Sequence, residues 1–404
     1  MFIKFLFFLS GFFIATEDVF IDYVFFPGYR VIVIAALPFI TGLIFLSHII
    51  CKKPALKINW TGLFFNILIL CGLLSNLIFH QHSFDFRYYY YFVLMLVLFF
   101  FWDIKSLFPS FITGLILGNS TAILTGIASF YQRISPTTTE YAFGPNGYGF
   151  YQAIIISIIM LALMQSKEQK SFLRKAVLYF GVIFSGYGVF VSGSRMAVMG
   201  VLTVLIMYIL VNKKRLLLSI KVSIAGFCVV AIVLFVFNLN PNNRMLSDLF
   251  LQRYTLALAA ETGGSGRLAV YDALINNLPE EILFQGFGPE GKAKIAELNP
   301  VGAETHNLYL QIILEYGLIL FVVFLFYNIF IVVSYYRKGA KEYALLHVPF
   351  LVMAIFLHVF TFPSTLLVLA IVSNSYNSST TEPVLRVSSD DYHRLCLAAN
   401  YPES

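Results

Sequence analysis

The sequence predicts an all-α fold, a polytopic transmembrane bundle of about 11–12 helices. One outsized, partly helical loop at 239–305 lies between helices nine and ten, on the side away from the cytoplasm. Three observations carry that prediction. The 404 residues are 59% hydrophobic and 12% charged, with a mean hydropathy of +0.81, far outside the range of soluble domains. Apolar runs of ~17–25 residues, the length that crosses ~30 Å of hydrocarbon, recur almost end to end. The cations between those runs fall on alternate connections.

The runs cover 2–16, 31–50, 60–79, 88–102, 107–130, 147–165, 176–193, 196–212, 216–238, 306–335, 344–360 and a short twelfth at 361–373. Helices follow because lipid cannot hydrogen-bond a free backbone and because the runs lack the alternation of strands. The first run carries a lone Lys4 near its start and resembles a secretory signal, but no small-x-small cleavage site succeeds it, so a retained first helix is expected.

Orientation follows from the cations, which are retained on the cytoplasmic side. Lys52, Lys53 and Lys57, then Lys105, then Lys167, Lys170, Arg174 and Lys175, then Lys213, Lys214 and Arg215, then Arg337, Lys338 and Lys341 occupy alternate connections. The opposite short connections hold only Arg30, Arg87, Arg133 and Arg195. The amino terminus is therefore expected inside, and 239–305 outside. Four regions result: helices one to nine over 1–238, the large loop at 239–305, helices ten to twelve over 306–373, and a polar, Ser/Thr-rich tail at 374–404 expected to be disordered. The loop carries a helical piece at 268–277 and is broken by Pro279, Pro289 and Pro300. It is too short for a separate enzyme domain, so its chemistry must be shared with helix ends.

The net charge of +6 is explained by this cytoplasmic bias and gives no reason to invoke nucleic acid. Cys51, Cys71, Cys228 and Cys396 lack disulfide or metal spacing. His48, His347 and His358 form no ligand pair. The outer loop has no Asp-x-Asp cluster, and no phosphate-cradling Gly-x-x-x-x-Gly-Lys run exists. Neither a divalent metal nor a nucleotide cofactor is expected.

Three outer positions stand where a polar substrate could meet a lipid carrier. These are Arg195 in Ser192-Gly193-Ser194-Arg195, Arg267 in Gly263-Gly264-Ser265-Gly266-Arg267, and His306 in His306-Asn307-Leu308-Tyr309-Leu310. A guanidinium binds phosphate oxygens bidentately and keeps its charge, and neighbouring glycines let backbone amides approach the same anion. Snorkelling at a helix end is the competing role for either arginine. An imidazole titrating near neutrality could take a proton from an attacking hydroxyl, although an interfacial histidine also serves as a plain polar cap. Asn307, Gln311 and Glu315 are spaced four apart and so share a helical face, read as descending into the bilayer. An acid there faces a wet cavity or makes an interhelical hydrogen bond.

In their order and placement, four stretches resemble the O-antigen ligase and polymerase superfamily of bacterial inner-membrane glycosyltransferases. They are Phe143-Gly144-Pro145-Asn146, Ser192-Gly193-Ser194-Arg195, Gly264-Ser265-Gly266-Arg267 with Tyr271, and His306-Asn307-Leu308-Tyr309-Leu310 continuing to Glu315-Tyr316-Gly317. The resemblance implies metal-independent transfer of a whole glycan from an undecaprenyl-diphosphate-linked oligosaccharide to an acceptor hydroxyl at the periplasmic face. It further implies a diphosphate held by Arg195 and Arg267, an acceptor activated by His306, and a chain-length regulator as a partner.

Polymerases of the superfamily can carry Arg, ten residues, then Gly in two outer loops. Arg133 with Gly144 and Arg253 with Gly264 fit that spacing, a pattern that chance also produces. These two arginines, with Asn307 and Glu315, are the further candidates for substrate binding, and the balance leans to polymerase over transfer to lipid A core. A lipid-linked oligosaccharide flippase or transporter is the rival of another class. It would place charged groups along a central pathway, whereas the candidates here gather at one surface. A non-catalytic assembly partner is the third reading.

Overall fold

The computed structural model describes residues 2–17, 108–134, 145–165, 172–192, 194–212, 307–337 and 339–355, with the isolated positions 36, 39–40, 42–43, 271–272, 276 and 286–287. Seven helices lie in the longer stretches: α1 (Phe2–Glu17), α2 (Phe108–Ile134), α3 (Pro145–Gln165), α4 (Phe172–Ser192), α5 (Arg195–Val211), α6 (Leu308–Arg337) and α7 (Ala344–Ala354). The described residues contain no strand, and the protein is an all-α membrane protein. The expected spans at 60–79, 88–102, 216–238 and 361–373, most of 31–50, the tail and most of the large loop lie outside the described residues.

Helix α3 is the centre of the bundle. It is apolar all round, as a helix with no lipid face must be, and its residues from Tyr148 to Ala162 are buried. It packs against α4, α5 and α7, and the Tyr151 hydroxyl donates to the Ile14 carbonyl near the end of α1 at 2.7 Å. Outer helices show one buried stripe instead. Along α6 the positions Phe324, Asn328, Ile331 and Tyr335 are buried, while Phe326, Ile329 and Phe330 are exposed, the division expected of a helix that turns one face to its neighbours and the other to lipid.

Two small-residue contacts set how closely the helices approach. Gly11 of α1 lies against Phe111 and Leu115 of α2, and Gly114 and Gly118 of α2 lie against Phe8 and Phe12 of α1. A Cβ on any of the three would collide with the opposing backbone, which is why a Gly-x-x-x-Gly stretch suits a helix contact in lipid. The two sets of residues rise together, so α1 and α2 are parallel. Asn119 of α2 meets Ser185 of α4, and Gly181 of α4 meets Ile116 of α2, so these two are parallel as well.

Helix α3 opposes them and runs with α5, Gly149 lying against Ala197 and Ala153 against Gly200. Helix α7 returns antiparallel to both, Met353 covering Gly200 and Phe350 meeting Phe150 edge to face. This alternation agrees with the directions read from the cations. Lys4, Arg174, Lys175, Arg337 and Lys341 fall at one end of the described bundle, and Arg195 at the other.

The cation-rich end is closed by side chains from three segments. Gln165 at the end of α3 donates to the Tyr343 hydroxyl at 2.9 Å. Tyr335 of α6 packs on Tyr343 and is hydrogen-bonded to His347 Nδ1 at 3.1 Å.

The span expected over 306–335 is corrected. The helix breaks at Gly317, where φ 85° and ψ 168° are open to glycine but not to a side chain. Thirty helical residues would extend ~45 Å, more than the hydrocarbon needs. The membrane-length, apolar part is Gly317–Arg337, and 308–316 forms a separate first limb. That limb folds back. The Tyr309 ring lies 6.2 Å from Phe321 and 6.3 Å from Phe324, residues that a straight helix would place roughly 18 and 22 Å further along its axis.

Candidate functional site

The Ser192–Arg195 turn is built from its own side chains. Ser192 Oγ donates to the Val189 carbonyl at 2.6 Å and accepts from the Ser194 amide at 3.1 Å, which ends α4 and reverses the chain. Ser194, in an extended conformation, caps α5 by accepting from Ala197 N. An N-cap of this kind satisfies a donor that the helix cannot. Both serines are buried, and Arg195, which follows Ser194, is partly exposed.

The start of α3 presses on this turn. A Cβ on Gly149 would come within 2.7–2.8 Å of Ala197, Ser192 and Ser194. The stretch that opens α3, Pro145 and Asn146, is therefore on the same end as Arg195, and so is the carboxyl end of α2, which carries Arg133. Among the described residues no hydrogen bond or ion pair engages the Arg195 guanidinium. It stands at the positive end of a seventeen-residue helix, where an anion is favoured by both the charge and the unpaired amides.

The start of α6 lies at this end too, joined through α7. Asn307 caps the first limb, its Oδ1 accepting from Leu310 N at 3.1 Å. That bond uses one lone pair of Oδ1 and leaves the Nδ2 donors uncommitted by it. Tyr309 donates to the Leu351 carbonyl at 2.8 Å, one turn before α7 ends. Sequence reading passes over Tyr309, although a tyrosine within the His306–Leu310 stretch has a hydroxyl that needs a partner when buried. Gln311 is buried within the limb. Glu315 is two residues before the break rather than deep in a continuous span, so the face shared by Asn307, Gln311 and Glu315 belongs to the folded-back limb.

From the large loop, Tyr271, Asp272 and Asn276 are helical, within the piece expected at 268–277, and Asn276 Nδ2 donates to Asp272 Oδ1 at 3.0 Å. Phe287 is buried, and its amide donates to the Leu314 carbonyl on α6. Arg253, Arg267 and His306, and the side chains of Arg133, Asn146 and Glu315, lie outside the described residues. The structure therefore brings together the Arg195 turn and the start of α3, and ties the start of α6 to the end of α7.

A family model described as O-antigen ligase matches residues 180–325. The match begins in α4 and ends in the second limb of α6, so it takes in the Arg195 turn, the large loop and the break at Gly317. No curated protein and no solved structure matches the chain.

Proposed function

We propose that this chain, with its O-antigen ligase match over 180–325, is a membrane glycosyltransferase of surface polysaccharide assembly that takes its glycan from a polyprenyl diphosphate. The observation that carries the reading is Arg195. It is a permanent cation held at a capped helix start by two buried serines, with no partner among the described residues, inside the matched region. The capped turn fixes the backbone from which the guanidinium extends, and a cation standing at a helix start is placed to stabilise charge that develops on a diphosphate.

In the proposed reaction an acceptor hydroxyl attacks the anomeric carbon of the lipid-linked glycan. A carbon–oxygen bond forms to the acceptor as the bond from that carbon to the diphosphate oxygen breaks. The hydroxyl proton passes to the His306 imidazole and from there to solvent. The electron pair leaves with the polyprenyl diphosphate, whose growing charge Arg195 and Arg267 share. Donor activation is already present in the diphosphate, so no nucleotide is required. In this reading the chemistry takes place at the outer face of the bacterial inner membrane, a side that the positive-inside bias supports, with the cation-rich end toward the cytoplasm.

Polymerization of repeat units is the favoured acceptor chemistry, with transfer to lipid A core as the alternative. Gel analysis of surface polysaccharide from cells carrying Arg267→Ala or His306→Ala tests the reading. Loss of the long-chain ladder with the protein still inserted is expected, and an unchanged ladder in both variants contradicts it. Surface lipid capped with single repeat units identifies a polymerase, and uncapped lipid identifies a ligase.

A further inference from the structure

The first limb of α6 is pinned at both ends, and each pin uses a backbone carbonyl that a helix has released. At its start, Tyr309 donates to Leu351 O. That oxygen is free because α7 tightens as it ends, the Ile355 amide turning back to Val352 at 3.3 Å rather than to Leu351. At its finish, the break at Gly317 interrupts the α-helical bond from residue 318 to Leu314. The amide of Phe287 takes Leu314 O instead. Gly286 precedes it at φ 70°, a left-handed conformation that brings the loop backbone alongside the helix. Phe287 is buried to 6% exposure, so the loop residue whose amide reaches α6 also has a side chain shielded from solvent.

The Tyr309 ring fills the angle of the fold, edge-on to Phe321 and Phe324. The limb is therefore a clamped arm, not an extension of the membrane helix. Its first residue follows Asn307, the cap, which itself follows His306. Whatever fixes the arm fixes where the backbone at 306 begins.

We infer that Tyr309 and Phe287 are positioning residues for the acceptor side of the proposed glycan transfer: the Tyr309–Leu351 and Phe287–Leu314 hydrogen bonds hold the arm that follows residue 306 in the chain. The inference rests on the glycan-transfer reading. Neither residue touches substrate in this account. The Arg195 turn is built on α3, α4 and α5, whereas the arm's two hydrogen bonds go to α7 and to the large loop, so loosening the arm should slow turnover more than it weakens donor binding.

The test uses the full chain in lipid nanodiscs with a polyprenyl-diphosphate-linked oligosaccharide and its acceptor. Tyr309→Phe keeps the ring and removes only the hydroxyl. Its kcat should fall on the order of tenfold to a hundredfold, the scale of a small misplacement, with the donor KM within about twofold of wild type. Phe287→Ala should show the same split and Phe287→Leu should restore much of the rate. Hydrogen exchange supplies a reading besides activity: both weakened variants should exchange faster across 308–316 and unchanged across α3. Wild-type kcat in Tyr309→Phe and Phe287→Ala overturns the inference, as does a parallel change in kcat and donor KM with global loss of protection, which marks a packing role. A wild-type protein that transfers no glycan overturns the function itself, and the positioning role falls with it.

Discussion

The side-chain amides of Asn119 and Gln152 hydrogen-bond to each other in both directions, at 2.9 Å and 2.7 Å, with neither exposed beyond 1%. Asn119 spends its second amide hydrogen on Ser185 Oγ at 3.0 Å, and the Gly188 backbone leaves room for the Gln152 side chain. Helices α2, α3 and α4 are thereby held in one register by groups that lipid could not satisfy.

Gln152→Leu leaves Asn119 its bond to Ser185 but strands its carbonyl oxygen, and Asn119→Leu strands the Gln152 amide, each at a cost of about 1–3 kcal/mol. Removing both strands neither amide and costs only the Ser185 bond and packing differences. Asn119→Leu and Gln152→Leu should each lower the unfolding temperature in detergent, and the double variant should lose less than the two single losses together. Strict additivity would show that the pair is not coupled.

Gly317 occupies backbone space that a side chain resists, so Gly317→Ala should cost about 1–3 kcal/mol and drive the first limb toward a straight continuation. Ring contact between Tyr309 and Phe324 would then be lost. A cysteine cross-link between positions 309 and 324 should form with Gly317 present and fail in the Gly317→Ala background. Equal cross-linking in both would mean that the break does not depend on glycine.

Gly149 and Gly186 form a matched pair for the Arg195 turn. A methyl on Gly149 meets Ser192, Ser194 and Ala197, whereas nothing lies within 4 Å of one on Gly186. Gly149→Ala should displace the turn and reduce transfer, while Gly186→Ala should leave both stability and activity within about 0.5 kcal/mol of wild type. Transfer assays on the two variants at equal membrane levels decide the point.

Ser194→Ala removes the cap of α5 at a cost of about 1 kcal/mol and frees Arg195 from its fixed position. Lowered donor affinity should accompany the lost stability. Ser194→Asp restores a capping oxygen but adds an anion beside the guanidinium, so it should recover stability and not affinity. Equal recovery of both would separate the turn from donor binding.

Much of this arrangement is legible in the sequence. The spans at 2–16, 107–130, 147–165, 176–193 and 196–212 emerge as helices with ends moved by a few residues, because apolar length is what lipid demands. Their directions follow from Lys4, Arg174, Lys175 and Arg337, since cations report the side on which a helix ends. The break at Gly317 is not legible from hydropathy, because both limbs are apolar and the property that matters is a backbone dihedral. The excess length of 306–335 is the available signal. The Asn119–Gln152–Ser185 cluster shows only as three scattered polar residues, since nothing in one sequence states which helix faces meet. Arg195 is singled out in the sequence by charge and position, and the structure shows two buried serines in the turn before it. Arg267 and His306 lie outside the described residues.

The most direct test is release of polyprenyl diphosphate by the purified protein in nanodiscs, supplied with a polyprenyl-diphosphate-linked oligosaccharide and a hydroxyl acceptor. The account predicts that wild type releases one polyprenyl diphosphate for each glycan transferred. Arg195→Ala should slow that release by on the order of a hundredfold, the usual effect of removing one charge-stabilising donor. Release by Arg195→Ala at the wild-type rate, or no coupling between release and glycan transfer in wild type, would contradict it.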